Sequence, residues 1–247
     1  MNLYELGTVE DVAKARARIV DDVAKSAYAV VRGLFDRDAV RGRLKSLYQR
    51  ANTSAPLPSA GVSPDMIQRN VFKWSIGGHS TTQTGISRMM MTVYNPLSDA
   101  DAFGLHDCFH RLIAVRDALA DRPVLTDAAL APDRWNGTRV QIYPAGGGFI
   151  GAHADSRGVG NMPENTGPFI QLLMLLTERG TDYQRGGAFI EQHGRRVDNE
   201  AGTRSGDVIV YDGATIHGVG DVDPDVAFSA ADLRGRAVAL ATIYDKR

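Results

Sequence analysis

The sequence has little cysteine, little net charge and no long apolar run, and each shortage excludes a class of protein. A single cysteine, Cys108, among 247 residues excludes an internal disulfide framework and a zinc site built from several thiolates. The 28 Lys and Arg residues nearly balance 29 Asp and Glu residues and form no basic cluster, so we expect no nucleic-acid partner. No run of about 18 apolar residues occurs, so we expect no membrane span.

The length and ordinary composition predict one large domain over residues 1–247, with 43% hydrophobic residues to build its core. The first ten residues lack the basic start and apolar stretch of a secretory signal, so we expect a cytoplasmic protein. Eighteen of the 26 glycines fall in residues 137–247. This division predicts a mostly helical N-terminal part at residues 1–135 and a turn-rich β core at residues 136–247. The sequence predicts no particular oligomeric state.

Hydrophobic periodicity predicts helices at residues 9–25, from Asp36 to about Ala51, and at 99–121, with a short strand at Tyr28–Val31. From Thr138 onward, short apolar runs alternate with turn residues, which is typical of an antiparallel sandwich or barrel. This predicts an α+β fold, mainly β, with the N-terminal helices packed on one face. The predicted strands of this part are 138–143, 148–153, 168–177, 187–192, 206–211, 215–219 and 235–244.

The strongest candidate for a metal site is the pair His153 and Asp155. Residues two apart on a strand point to the same face, so the imidazole and the carboxylate converge. With His217 as a third ligand they form a two-histidine, one-carboxylate triad, a set that suits non-haem Fe(II) and leaves coordination positions open. Taken singly, each of these residues is more simply a hydrogen-bonded strand residue. His106 and His110 have metal-ligand spacing on the third helix, but a solvent-facing or core role is the simpler interpretation.

The sequence around these residues resembles the Fe(II)/2-oxoglutarate-dependent dioxygenases. The resemblance covers about residues 138–247 and rests on four segments in the family's order, whereas the N-terminal half shows only a general similarity. The four segments are a Tyr-Pro and Gly-rich stretch before the His-x-Asp motif, a Gly-Gly hairpin, a strand that leads to the second histidine, and a Gly-Arg strand. In this sequence the segments are Gln141–Asp155, Tyr183–Glu191, Ser205–His217 and Gly235–Leu240.

The resemblance implies a double-stranded β-helix, or jelly roll, that binds Fe(II) through His153, Asp155 and His217 and uses 2-oxoglutarate and O2. The far carboxylate of 2-oxoglutarate requires a cation, and the position of Arg236 matches that role. A planar guanidinium can bind a carboxylate through two parallel hydrogen bonds. Arg234 is a competing candidate on the same strand, and Tyr143 is a candidate second donor or a wall residue.

Substrate-contacting residues are expected on neighbouring strands. Arg139, Gln141 and Tyr143 alternate along one strand, so they share a face that we assign to the barrel interior. Gln171 interrupts an apolar run and requires a polar partner if it is buried. Arg88 and Trp74 are further candidates for the substrate wall. We also expect residues 156–168, which directly follow the ligand pair, to form part of a lid.

The resemblance therefore implies an oxygenase that hydroxylates an unactivated C–H bond of a small molecule and releases succinate and CO2. An amino acid or an intermediate of a specialised pathway is the expected substrate. Because Asp155 is present, halogenation, which in related enzymes accompanies loss of this carboxylate, is not expected. Two alternatives stay open. One is a prolyl-hydroxylase-like enzyme that acts on a protein, and the other is a non-catalytic jelly roll that senses a metal or 2-oxoglutarate.

Overall fold

Two β-sheets enclose a cavity, and helices cover the outer face of the larger sheet. The computed structural model describes residues 1–53, 71–75, 87–126, 134–155 and 169–245. The predicted lid at residues 156–168 lies outside the described residues. In the described part of the chain, no helix is long and apolar enough to cross a membrane.

Three helices are described: α1 (Val9–Ser26), α2 (Arg37–Thr53) and α3 (His106–Leu119). The first two agree with the predicted ones, and Asp36 accepts a hydrogen bond from the Ala39 amide at the start of α2. The third begins seven residues later than predicted. Gly104 has a φ of +67°, which an α-helix excludes, so the preceding residues form turns instead.

The larger sheet contains eight strands and packs against α1 and α3 on one face. All of its neighbouring strands are antiparallel except the first pair. In spatial order the strands are β1 (Leu3–Glu5), β2 (Tyr28–Arg32), β11 (Val208–Asp212), β8 (Ile170–Leu175), β13 (Gly235–Asp245), β6 (Arg134–Pro144), β5 (Met90–Tyr94) and β3 (Val71–Ser75).

The smaller sheet contains five antiparallel strands and closes the other side of the cavity. Its central strand pairs His217 with His153 directly across the ladder, which brings two of the predicted metal ligands together. In spatial order the strands are β10 (Arg195–Asp198), β9 (Gly187–Gln192), β12 (His217–Val222), β7 (Gly148–His153) and β4 (Ser87–Arg88).

The larger sheet shows strict alternation between its two faces. Along β13, the three alanines at 237, 239 and 241 are buried in the core that the sheet shares with the helices. The residues between them line the cavity, so the period of two decides which side chains reach the site. The cavity-facing members of β13 are Arg236, Val238, Leu240 and Thr242.

The N-terminal part contributes more strands than its sequence pattern predicts. Only β2 was expected there, yet β1, β3 and β5 extend the larger sheet and β4 extends the smaller one. Buried Met91 and Val93 on β5 join the helix-side core. The described strands of the N-terminal part are thus hydrogen-bonded into the same two sheets as the C-terminal core.

Candidate active site

The two sheets enclose a cavity of about 750 Å³, counting its open mouth. It holds most of the polar residues that the sequence motifs single out, together with several apolar side chains. The polar and aromatic lining residues are Arg139, Gln141, Tyr143, His153, Asp155, Gln171, Phe189, Asn199, Tyr211, His217, Arg236 and Thr242.

His153, Asp155 and His217 form a compact cluster on the cavity wall. One ligand atom from each residue lies within 4.8 Å of the other two. The Nε2 atoms of His153 and His217 are each 3.8 Å from a different oxygen of the Asp155 carboxylate. Among the described residues, this is the one group of three or more potential ligands that could hold a metal ion, and His106 and His110 belong to no such group.

Both imidazoles are oriented by backbone carbonyls. The Nδ1 atom of His153 lies 2.8 Å from the Gly151 oxygen, and that of His217 lies 2.8 Å from the Thr215 oxygen. A carbonyl only accepts, so each Nδ1 carries a proton, and each Nε2 faces the cluster. Burial lowers the pKa of His217, which keeps this ring neutral and able to bind a metal.

Gly213 makes room for the carboxylate of Asp155. The Asp155 amide donates a 2.7 Å hydrogen bond to the Gly213 oxygen, which fixes the residue just beyond the end of β7. A Cβ atom at position 213 would lie 2.8 Å from Cγ of Gln171 and 3.0 Å from Oδ2 of Asp155. Only glycine therefore fits this turn without displacing the proposed ligand.

Arg236 lies at the buried end of the cavity, and only 1% of it is exposed. Its Nε and Nη2 atoms both lie 2.7 Å from Oε1 of Glu200, and its Cζ atom lies 5.1 Å from the centre of the Tyr143 ring. These contacts leave Nη1 without a partner among the described residues. We call the group Arg236, Tyr143, Glu200, Tyr183 and Asn199 the closed end.

Glu200 is saturated with donors. In addition to Arg236, the Tyr183 hydroxyl donates to its Oε2 at 2.8 Å and the Ala188 amide donates at 3.0 Å. Burial alone would raise the pKa of Glu200, but the positive charge of Arg236 and these hydrogen bonds outweigh it and lower the pKa. The carboxylate is thus ionised and holds the guanidinium in one orientation.

The two candidate arginines occupy different environments. The side chain of Arg234 is 77% exposed and forms an ion pair with Asp232 on the surface. Arg236 lines the cavity, whereas Arg234 lies outside that lining. The structure thus places only Arg236 where a ligand in the cavity can reach it.

Tyr143 lies beside Arg236 as its direct neighbour across the β6–β13 ladder. Its hydroxyl donates a 3.1 Å hydrogen bond to Oε1 of Gln141, and burial raises the pKa of Tyr143 to about 12. The phenol therefore keeps its proton at neutral pH and can serve as a hydrogen-bond donor inside the cavity.

Three of the predicted substrate residues line the cavity: Arg139, Gln141 and Gln171. We call them the polar wall. Gln171 is 8% exposed and lies near the triad, since its Cγ atom and Oδ2 of Asp155 both lie within 3.0 Å of the position that a Cβ would take at Gly213. Its amide forms no hydrogen bond within the described part of the chain.

Trp74 does not join this group. Trp74 pairs with Met91 on the face of the sheet opposite the cavity, where it is buried in the helix-side core with its ring edge-on to Phe228. The prediction that Trp74 lines the substrate wall is therefore corrected, because the register of β3 and β5 turns it away. Arg88 lies on β4 and pairs with Phe149, and its side chain lies outside the described part of the structure.

Four residues of the cavity region were not predicted: Tyr183, Asn199, Glu200 and Tyr211. The segment Asp198-Asn199-Glu200 follows a short hairpin and has the polarity of a solvated turn, so its sequence carries no sign of burial. Tyr211 was identified only as part of a strand. Its ring centre lies 4.9 Å from that of His217, and burial followed by the nearby Asp155 charge raises its pKa well above the usual value.

No protein-family model matches the chain, and no curated protein matches it in sequence. Several solved structures match it in fold. A prolyl-4-hydroxylase from Pseudomonas putida shares 17% identity at a TM-score of 0.53, with 94% of this chain and 99% of that chain covered. The alpha-ketoglutarate (2-oxoglutarate) dependent epimerase SnoN of nogalamycin biosynthesis shares 14% identity at a TM-score of 0.56, over 94% and 81%. An oxidoreductase of the 2OG-Fe(II) oxygenase family from Burkholderia pseudomallei shares 12% identity at a TM-score of 0.52, over 100% of both chains.

These similarities extend over nearly the whole chain and include its N-terminal part, which the sequence motifs did not cover. Because the sequence identity is so low, these similarities establish the fold alone. The predicted jelly roll with helices on one face is confirmed, and the chain has the fold of the Fe(II)/2-oxoglutarate oxygenases.

Proposed function

We propose that the protein is an Fe(II)- and 2-oxoglutarate-dependent oxygenase that hydroxylates a small molecule. The observation that carries the proposal is the joint placement of the triad and a buried arginine in one cavity. The triad offers two neutral imidazoles and one carboxylate on one side, the set that non-haem Fe(II) takes with open positions. Arg236 offers a cation at the closed end, where a ligand that reaches from the metal would place a second acidic group.

The donor set fits both groups. His153, Asp155 and His217 would hold the iron, and Arg236 with Tyr143 would bind the distal carboxylate of 2-oxoglutarate. When bound, Fe(II) and 2-oxoglutarate together activate O2 for oxidation of the substrate, with succinate and CO2 as co-products. The protein orients these groups, excludes water from the closed end and presents one C–H bond of the substrate to the metal.

The polar wall supports a small substrate with hydrogen-bonding or acidic groups. The guanidinium of Arg139 and the amides of Gln141 and Gln171 line the cavity on strands of the larger sheet. An amino acid or a polar intermediate of a specialised pathway matches these groups. The alternative is hydroxylation of a protein. The Pseudomonas putida neighbour is named a prolyl-4-hydroxylase, and a prolyl hydroxylase from Trichoplax adhaerens with the same fold is described in complex with a peptide fragment of hypoxia inducible factor.

Succinate formation tests the proposal. The purified protein with Fe(II), ascorbate and 2-oxoglutarate is expected to form succinate under air but not under nitrogen, with faster turnover when a substrate from an amino-acid and metabolite panel is present. A parallel panel of proline-containing peptides tests the alternative. Tight binding of 2-oxoglutarate to the metal-loaded protein without succinate in any panel would favour the sensor hypothesis instead.

A further inference from the structure

A buried amide at the closed end has no hydrogen-bond partner. Asn199 is 4% exposed and lines the cavity, yet its Oδ1 atom lacks any partner among the described residues. Its Nδ2 atom likewise forms no hydrogen bond with the part of the chain that the structure describes. A buried amide without partners costs about 1–3 kcal/mol, so a native structure that keeps one there requires an explanation.

The position of Asn199 identifies what it faces. It directly follows Asp198, which pairs with the cavity residue Phe189 on β9. The next residue, Glu200, binds Arg236 through one carboxylate oxygen and the Ala188 amide through the other. Asn199 therefore lines the same cavity as Arg236 and directly precedes the residue that holds the Arg236 guanidinium.

The charges at this end explain why a further donor is useful. The negative charge of Glu200 already balances the positive charge of Arg236. A ligand carboxylate that enters would place a second anion next to one cation. A neutral N–H donor adds a hydrogen bond to that carboxylate without more charge to bury.

We propose that Asn199 binds the distal carboxylate of 2-oxoglutarate together with Arg236. The Nδ2–H group donates to one carboxylate oxygen, and the free Nη1 of Arg236 donates to the carboxylate as well. Rotation of the Asn199 amide breaks no hydrogen bond within the described residues, so either edge can turn to the ligand. This inference rests on the proposed function, because it assigns a third residue to the same cosubstrate.

Two near-isosteric variants test the role. Asn199→Leu removes both hydrogen-bonding groups, and Asn199→Asp replaces the donor with an acceptor that repels a carboxylate. The measurement is calorimetric titration of 2-oxoglutarate into Mn(II)-loaded protein without oxygen turnover. We expect Asn199→Leu to raise the Kd about tenfold or more, the size of a hydrogen bond to a charged group, and Asn199→Asp to raise it further. Asn2→Asp, which places the same charge change just before the outer strand β1, is the matched control and should stay within about twofold.

Oxalate separates this role from general damage. It chelates a metal through two carboxylates but has no distal carboxylate, so its Kd should change by no more than about twofold in either Asn199 variant. Equal 2-oxoglutarate affinity in wild type and in a folded Asn199 variant overturns the inference and leaves the proposed function standing, as would happen if a water molecule alone satisfied the amide. Parallel losses of oxalate and 2-oxoglutarate affinity also overturn it, since they indicate a damaged metal site. A wild-type protein that binds neither Mn(II) nor 2-oxoglutarate overturns the proposed function and the inference with it.

Discussion

The closed end and the polar wall belong to the same cavity but are built in different ways. At the closed end, Arg236 and Glu200 are almost fully buried, their charges balance, and four donors saturate the carboxylate. On the polar wall, Arg139 and Gln141 are half-buried, and the Gln171 amide has no hydrogen-bond partner in the described residues. The closed end, with its fixed and balanced charges, suits one ligand of constant shape. The polar wall, with two amides and one guanidinium, suits a polar substrate. Under the proposed function, the closed end serves cosubstrate binding and the polar wall serves substrate choice.

The triad lines the same cavity as these two regions, and its loss has the largest expected effect. Asp155→Ala and His217→Ala each remove a ligand atom from the cluster, so we expect no detectable succinate formation and much weaker Mn(II) binding by calorimetry. His110→Ala is the matched control, because His110 is an exposed histidine on α3 outside the cavity. Full activity in Asp155→Ala would refute the assignment of the metal site.

The second largest effect is expected at the closed end. Arg236→Lys keeps the positive charge but loses the planar fork, so the KM for 2-oxoglutarate should rise about 10- to 100-fold, the value of one or more charge-assisted hydrogen bonds. Arg234→Ala, at the exposed surface pair, should change this KM by about twofold at most. The reverse ranking of the two variants would contradict the assignment of Arg236 and would require a different closed end.

Removal of the Glu200 charge measures how far the closed end depends on charge balance. Glu200→Gln leaves Arg236 buried without its counter-ion, so the free energy of unfolding should fall by about 3 kcal/mol in urea denaturation. Saturating 2-oxoglutarate with Mn(II) should recover part of this loss, because the ligand carboxylate supplies a negative charge beside Arg236. If the ligand stabilises wild type and Glu200→Gln equally, Glu200 does not set the electrostatics of the cosubstrate site.

Acid provides an independent test of the same pair. The pKa of Glu200 is lower in the folded protein than its ordinary value of 4.5. At a pH between the folded-state pKa and 4.5, the unfolded chain therefore binds more protons than the folded chain. The stabilisation by ionised Glu200 is therefore complete above pH 4.5 and declines as the pH falls below it. The difference in unfolding free energy between wild type and Glu200→Gln should shrink over that range, and a constant difference would argue against an ionised Glu200.

The same contrast explains what the sequence could predict. His153 and Asp155 were identifiable because strand alternation places them on one face, and Arg236 because it follows Gly235 at the entry to an apolar strand. Asn199 and Glu200 were not, since Glu200 is held in place by contacts with Ala188 and Arg236 that are distant in sequence, and Asn199 directly precedes it. Trp74 was misassigned for a related reason: the register of β3 against β5, and not local composition, decides which face it occupies.

The smallest effect is expected on the polar wall, where Gln171→Leu removes an amide that faces the cavity. Loss of one neutral hydrogen bond should raise the KM for the hydroxylated substrate by about two- to tenfold. The KM for 2-oxoglutarate should not change, because Gln171 belongs to the polar wall and forms no hydrogen bond with Arg236 or Glu200. Met174→Leu, a volume-conserving change on the opposite face of the same strand β8, is the control and should alter neither KM. A rise in the 2-oxoglutarate KM alone would place Gln171 with the closed end, and the separation between the two regions would then fail at this strand.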